Sequence, residues 1–101
     1  MNIKIQSPHF TLNKGLNDFV TKKVKKLSRL YDRIEAGEVC LKLDKSDTDK
    51  NKICEIRLAV PGKDLFAKRK SDHFDKAVNE TVDVLERQIE KMKTKFENHK
   101  R

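Results

Sequence analysis

Hydrophobic and polar positions alternate with a period of two in four segments of the chain, which is the pattern of half-buried β-strands. The four segments are residues 2–7, 39–43, 54–60 and 65–68. In the first of them, Ile3 and Ile5 share one face. Polar residues 44–52 separate the second segment from the third, and the Pro-Gly-containing residues 61–64 separate the third from the fourth. Both separations predict hairpin connections.

Two longer segments, residues 12–31 and about 72–97, place hydrophobic residues at helical spacing instead. The first stripe consists of Leu12, Leu16, Phe19, Val20, Leu27 and Leu30. The second consists of Phe74, Ala77, Val78, Thr81, Val82, Leu85, Ile89, Met92 and Phe96. Thr11 is a candidate N-cap of the first helix. The order β-α-β-β-β-α predicts an α+β fold, in which a four-stranded antiparallel sheet carries both helices on one face, because this arrangement buries both stripes in one core.

The length of 101 residues suits one domain, and we expect a single domain over residues 1–101 with a frayed tail at 97–101. Charged residues make up 40% of the chain and hydrophobic residues 36%. No hydrophobic run approaches the roughly 18–20 residues of a membrane span. The alternating start of the chain lacks the apolar stretch of a secretory signal. These features predict a cytoplasmic protein that does not associate with membranes.

The positive charge is concentrated on one side of the first helix. The formal net charge is +8 and the pI is near 9.6, which predicts an anionic partner, with nucleic acid first and a membrane surface second. Residues 14–33 contain seven basic and two acidic residues, a net of +5. On a wheel of about 100° per residue, Lys22, Lys25, Lys26 and Arg29 share one arc. Like charges one turn apart cost a few tenths of a kcal/mol each, so their retention favours an anionic ligand over a merely solubilising face.

The second helix also carries its basic and acidic residues on different sides. Its basic arc consists of Lys76, Arg87, Lys91 and Lys95, and its acidic arc of Asp75, Glu86, Glu90 and Glu97. If both helices cover one sheet face, the two basic arcs could merge into one surface. Lys23 falls inside the apolar arc of the first helix. Its stem either packs on the core with the amine at an edge, or its amine points into the groove between the helices.

No residue cluster predicts catalysis or metal binding. Cys40 and Cys54 fall on opposite faces of neighbouring strands, which predicts two reduced thiols and no bridge. The histidines lack patterned partners, and residues 47–51 resemble the start of a calcium loop that lacks its glycine and final glutamate. We therefore expect no enzyme activity, metal, cofactor or small-molecule substrate. No aromatic pair suited to stacking on bases is present, so we expect recognition of phosphates and RNA shape.

The order and spacing of several short motifs resemble the ribosome hibernation-promoting factor family, also called ribosome-associated inhibitor, protein Y or sigma factor modulation protein. The motifs are Leu16-x-x-Phe19-Val20-x-x-Lys23-x-x-Lys26-Leu27, Tyr31-Asp32-Arg33-Ile34, Val39-x-Leu41-Lys42, Leu65-Phe66-Ala67, Asp72-His73-Phe74-x-x-Ala77-Val78 and Leu85-Glu86-Arg87-Gln88-Ile89-x-Lys91-x-Lys93-x-Lys95. The resemblance covers nearly the whole chain. It departs at His73-Phe74, where the family more often has Met-Tyr.

The resemblance implies a fold similar to double-stranded-RNA-binding domains. It also implies binding in the decoding channel of the small ribosomal subunit, where the protein would contact ribosomal RNA and neighbouring ribosomal proteins and exclude messenger and transfer RNA. The candidate RNA-binding residues are Lys22, Lys23, Lys25, Lys26, Arg29, Arg33, Lys76, Arg87, Lys91, Lys93 and Lys95. The chain resembles the short form of the family, which lacks a second, dimerising domain, and we expect a monomer when it is free. Its brief tail leans toward relatives that promote pairing of ribosomes over those that block it.

Two other functions remain open. The first is a regulatory module that binds a protein such as a sigma factor, which the basic stripe disfavours because protein interfaces are depleted of lysine. The second is a peripheral membrane binder, which lacks a free apolar helix face and a tryptophan anchor.

Overall fold

The structure is a computed structural model that describes residues 1–46 and 49–99, and the side chains of residues 1–46 and 49–94. Its elements follow the predicted order β-α-β-β-β-α. They are β1 (Asn2–Gln6), α1 (Lys14–Leu30), β2 (Ala36–Leu43), β3 (Lys52–Val60), β4 (Lys63–Ser71) and α2 (Phe74–His99). The strands β2, β3 and β4 extend beyond the predicted segments. Parts of the calcium-loop-like segment at 47–48 and of the tail at 100–101 lie outside the described residues.

The four strands form one sheet in the order β1-β2-β3-β4. The pairs β2–β3 and β3–β4 are antiparallel hairpins, as predicted. The prediction of a fully antiparallel sheet is wrong at one edge, because β1 runs parallel to β2. The cause is the connection through α1: a helical crossover returns the chain to the same end of the sheet, whereas a hairpin reverses it. The sheet is therefore mixed.

One face of the sheet carries the core and both helices. In β3 the side chains of Cys54, Ile56 and Leu58 are fully buried, whereas Glu55 and Arg57 point to the other face. The same alternation buries Val39 and Leu41 in β2, as the period-two pattern predicts. Cys40 and Cys54 accordingly leave opposite faces, and both thiols are free. We call the face without helices the open sheet face.

Helix α1 begins two residues later than the sequence pattern suggests. Its N-cap is Asn13, whose side-chain oxygen accepts a hydrogen bond from the backbone N–H of Leu16 at 2.8 Å. The predicted cap Thr11 and the hydrophobic residue Leu12 precede the helix. Through its apolar stripe, α1 packs closely on β2. A Cβ added at Gly37 would lie only 3.2 Å from the Val24 side chain. A close helix–strand contact at this point therefore requires glycine in β2.

The two helices pack side by side and run in the same direction. At their N-terminal ends, the rings of Phe10 and Phe74 stack with centroids 4.9 Å apart. At the far end, Nζ of Lys93 lies 3.0 Å from the carbonyl oxygen of Leu30. Both stripes meet the same core, in which Leu27 and Leu85 are fully buried. No helix in the described residues is long and apolar enough to cross a membrane.

Candidate nucleic-acid interface

The outer face of α1 carries exposed cations, four of which lie between positions 22 and 29. Lys22, Lys25, Lys26 and Arg29 all point away from the core, because the stripe of Val20, Val24 and Leu27 fixes the opposite side of the helix on the sheet. Lys22, Lys25 and Arg29 also line a shallow depression with Asp18 and Thr21. We call Lys22, Lys25, Lys26 and Arg29 the α1 cationic face.

The cations of the α1 cationic face are available to an external ligand, because they form no ion pairs within the part of the chain that the structure describes. Within the described side chains, none of its four residues forms an ion pair with a carboxylate. Several ion pairs of the described side chains lie instead on the open sheet face, as in Lys42–Glu55 at 3.3 Å, or at the start of α2. Cations that lie close together and form no ion pair attract external anions, and the phosphates of RNA are such anions.

Lys23 occupies the flank of the apolar stripe that faces α2. Its side chain is half-buried, and its ammonium lies 5.5 Å from the centroid of the Phe19 ring. This position favours the packed alternative, in which the stem covers core surface and the charge stays at the edge. Arg33 is exposed in the connection between α1 and β2, beyond the C-terminal end of α1.

Two hydrogen bonds fix the rotation of α2 about its axis. On one side, Nε2 of Gln88 donates to the carbonyl oxygen of Phe66 in β4 at 3.0 Å. On the other side, Lys93 donates to Leu30 at the end of α1. At about 100° per residue, Lys91 lies roughly 60° from Gln88, and Glu86 lies roughly 20° from Lys93. Apart from Lys93, the candidate cations of α2 with described side chains are therefore on its outer and β4-facing sides.

The same rotation puts carboxylates between the two basic arcs. Glu86 and Glu90 lie on the side of α2 that faces α1, whereas Arg87 and Lys91 lie beyond them and are exposed. The expectation that the basic arcs of α1 and α2 merge into one continuous surface is therefore wrong. They form two cationic strips, one on each helix, with a row of acidic residues between them. Helix wheels drawn from sequence cannot distinguish these arrangements, because they do not fix which side of each helix faces the other.

Several α2 cations already have partners in the protein. Lys76 pairs with Asp72 at 3.4 Å, one turn away along the start of the helix. Lys93 is held at the C-terminal end of α1. Arg87 and Lys91 have exposed side chains. The side chain of Lys95 lies outside the described residues. Among the predicted α2 positions with described side chains, Arg87 and Lys91 are therefore the best placed to contact an external anion.

The two cysteines and His9 have no role in this surface. Burial raises the pKa of the Cys54 thiol to about 12, and burial also raises the pKa of Cys40. Both thiols are therefore protonated and unreactive at neutral pH. Nδ1 of His9 accepts a hydrogen bond from the backbone N–H of Leu43 at 3.1 Å. In the described residues, no group of three or more His, Cys, Asp or Glu side chains could hold a metal ion.

Sequence reasoning overlooked the open sheet face as a candidate surface. Phe66 is 43% exposed there, and the guanidinium of Arg57 lies 5.3 Å from its ring centroid. The signal was present in the alternation, because Phe66 falls out of phase with its buried neighbours Leu65 and Ala67. A large aromatic residue on the solvent side of a strand is the feature that would have identified it.

The fold and the α1 cationic face together define a small α+β domain with a cationic helical surface. The chain belongs to the family described as sigma 54 modulation protein / S30EA ribosomal protein, whose family model matches residues 3–97. The family resemblance noted from the sequence motifs is therefore confirmed.

Individual relatives match over nearly the full length. A protein named ribosome hibernation promoting factor from Klebsiella oxytoca is 29% identical over 99 residues, covering 98% of this chain and 100% of the relative. One of the same name from Pseudomonas putida is 27% identical over 95 residues, covering 94% of this chain and 89% of the relative.

Solved structures share the fold. The N-terminal domain of protein Y from Thermus thermophilus superposes with a TM-score of 0.79 at 27% identity, covering 91% of this chain and 99% of that one. A ribosomal subunit interface protein from Coxiella burnetii gives a TM-score of 0.83 at 24% identity, covering 93% of this chain and 99% of that one. The predicted β-α-β-β-β-α fold is thus confirmed.

Proposed function

We propose that this protein is a ribosome hibernation factor that binds the small ribosomal subunit in the cytoplasm and acts by occupancy. It lies in the decoding channel, contacts ribosomal RNA with its cationic helix faces, and blocks the binding of messenger and transfer RNA. Relatives that match nearly the whole chain carry the name ribosome hibernation promoting factor. This mode of action needs no catalytic group, and binding alone silences the ribosome.

The observation that carries the proposal is the α1 cationic face. Its four cations repel one another and have no carboxylate partner within the described side chains. A bound phosphate backbone removes that repulsion and releases condensed counterions, which supplies sequence-independent affinity. Because phosphates carry no sequence information, the protein recognises the shape of a folded RNA rather than its bases.

The proposed contacts divide by accessibility. The exposed cations Lys22, Lys25, Lys26 and Arg29 of α1, Arg33 after it, and Arg87 and Lys91 of α2 contact phosphates directly. Three further lysines, Lys23, Lys76 and Lys93, have contacts within the protein and add to the positive electrostatic potential around the site. Lys95 extends the row of cations on α2. Glu86 and Glu90 separate the strips, so the RNA approaches as two backbone segments, one along each helix.

Charge reversal at one position in each strip tests this assignment. The variant Lys26→Glu/Arg87→Glu should keep its fold, because both side chains are exposed, and should lose co-sedimentation with small subunits in a sucrose gradient. The matched control Lys45→Glu/Lys63→Glu makes the same change in net charge at exposed positions outside the helices. If the helix variant still pellets with small subunits, or if both variants lose binding equally, the assigned surface is not the ribosome contact.

Salt dependence gives an independent measurement. Neutralising about six phosphates should cost on the order of 10³ in affinity between 50 and 200 mM salt, with the duplex-DNA slope as a guide. A flat response would exclude phosphate contacts as the source of affinity. Binding to a purified sigma 54 factor with little salt dependence would instead favour the other activity that the family description names.

A further inference from the structure

The open sheet face forms a concave surface on the side of the protein opposite the helices. A depression of about 430 Å³ there is lined by residues of all four strands. The residues that line it include Cys40, Arg57 and Phe66. Both helices pack on the other face, so no described helix covers this depression. It is separate from the α1 cationic face.

Phe66 supplies a rigid aromatic platform on this face. The residue is 43% exposed, and the guanidinium of Arg57, its cross-strand neighbour, lies over the ring at 5.3 Å from the centroid. The hydrogen bond from Gln88 to the Phe66 carbonyl oxygen holds the backbone at this position. A planar guanidinium next to an exposed ring is an arrangement that unpaired nucleobases use for stacking in RNA-binding proteins.

The charges around Phe66 are mixed rather than uniformly positive. Within the strands, the cations Lys4, Lys42, Arg57, Lys68 and Lys70 share the open sheet face with the carboxylates Glu38, Glu55 and Asp64, a net of +2. Glu55 is held between Lys42 at 3.3 Å and Lys68 at 3.6 Å, and Asp64 lies 3.6 Å from Arg57. A net charge this small suits one or two phosphates, not the backbone of a duplex.

The mixed charge also matches the polarity of a nucleotide. A base presents N–H donors at its edge, and a carboxylate accepts them. Glu38 is the cross-strand neighbour of both Lys4 and Arg57, so an acceptor for a base edge and donors for a phosphate lie side by side. The depression thus offers an aromatic ring for the face of a base, a carboxylate for the edge of the base, and a lysine for the phosphate.

We infer that the open sheet face is a second RNA-binding site, which holds one unpaired nucleotide with its base stacked on Phe66 and its phosphate near Lys4. This site goes beyond the proposed function, because it uses the opposite face of the protein and binds single-stranded RNA whether or not the helices contact the ribosome. With both surfaces, the protein binds a folded RNA through its helices and a flipped-out nucleotide through its sheet.

Fluorescence of 2-aminopurine tests the site. The probe is a short, uridine-rich, single-stranded RNA that carries a single 2-aminopurine, whose emission is quenched when the base stacks. Wild-type protein should quench it. Phe66→Leu, which keeps an apolar side chain but removes the ring, should weaken binding about tenfold. Phe66→Tyr should restore most of the quenching. Binding should weaken by less than about tenfold between 50 and 200 mM salt, because so few phosphates are contacted.

The variant Lys26→Glu/Arg87→Glu separates this site from the helix faces. It should still quench the probe, and Phe66→Leu should still fold, as judged by circular dichroism. Loss of quenching in the helix variant, or equal quenching by wild type and Phe66→Leu, would overturn the proposal. Binding of free guanosine monophosphate as tightly as the RNA would also overturn it, because the ligand would then be a free nucleotide. Failure of the wild type to sediment with ribosomes would bear on the proposed function alone.

Discussion

The ammonium of Lys93 donates a hydrogen bond to the carbonyl oxygen of Leu30 at 3.0 Å, so a side chain of α2 caps the C-terminal end of α1. The last carbonyls of a helix have no partner within the helix, and a cation there also complements the negative end of the helix dipole. This contact ties the two helices together at the end opposite the Phe10–Phe74 stack. It also gives the ammonium of one of the predicted RNA-binding lysines a partner inside the protein, although Lys93 stays exposed.

Replacing Lys93 should therefore affect stability more than RNA binding. We expect Lys93→Met, which keeps the aliphatic stem, to lower the free energy of unfolding by about 0.5–1 kcal/mol, because the Leu30 carbonyl loses its donor. Urea denaturation measures this change, and ribosome co-sedimentation measures binding. Lys91→Met, which removes a neighbouring exposed cation, is the control. The reverse ranking, with Lys93→Met weakening ribosome binding more than Lys91→Met at unchanged stability, would contradict this role.

The N-cap of α1 gives a second prediction. Asn13→Ala removes the acceptor for the Leu16 N–H and should lower the free energy of unfolding by about 1 kcal/mol. Thr11→Ala should change it by only a few tenths, because Thr11 precedes the cap. Thermal denaturation of the two single variants decides between them. An equal loss in both variants would mean that the helix begins earlier than the structure has it.

Gly37 tests how closely α1 packs on the sheet. A Cβ at this position would lie 3.2 Å from the Val24 side chain and 3.4 Å from that of Leu58. We expect Gly37→Ala to lower the free energy of unfolding by about 1–3 kcal/mol through overpacking. Gly15→Ala in the exposed first turn of α1 is the matched control, and it should be neutral or stabilising by up to about 1 kcal/mol. A tolerated Gly37→Ala would mean that α1 can move away from β2.

Asp44 predicts a loss of stability in acid. Hydrogen bonds from the Ser46 hydroxyl and the Lys70 ammonium lower the pKa of Asp44 to about 2, from an ordinary value of 3.8. Because the folded pKa is the lower one, this stabilisation is complete above about pH 4 and is lost as the pH falls toward 2. In urea titrations over this range, Asp44→Asn should lose stability less steeply than wild type. Parallel curves for the two proteins would count against this ion pair.

Sequence reasoning succeeded where a local pattern determines the outcome. The alternation of Ile56 and Leu58 with Glu55 and Arg57 specified a strand with one buried face, because side chains on a strand alternate by geometry alone. It failed for the N-cap, because Thr11 and Asn13 are both good caps and the choice depends on where the chain leaves β1. It also missed the direction of β1, since the pairing of that strand follows from the crossover through α1 and not from its own residues.

The candidate site divides in the same way. The amino-acid sequence by itself determined that α1 carries cations on the side opposite its apolar stripe, because a helix fixes the angles between its own residues. Only the tertiary structure decided that Glu86 and Glu90 face α1 while Arg87 and Lys91 lie beyond them, and that Phe66 and Arg57 meet on the open sheet face. The rotation of a helix about its axis and the register of a strand against its neighbour depend on contacts between distant residues, and periodicity along one element carries no information about them.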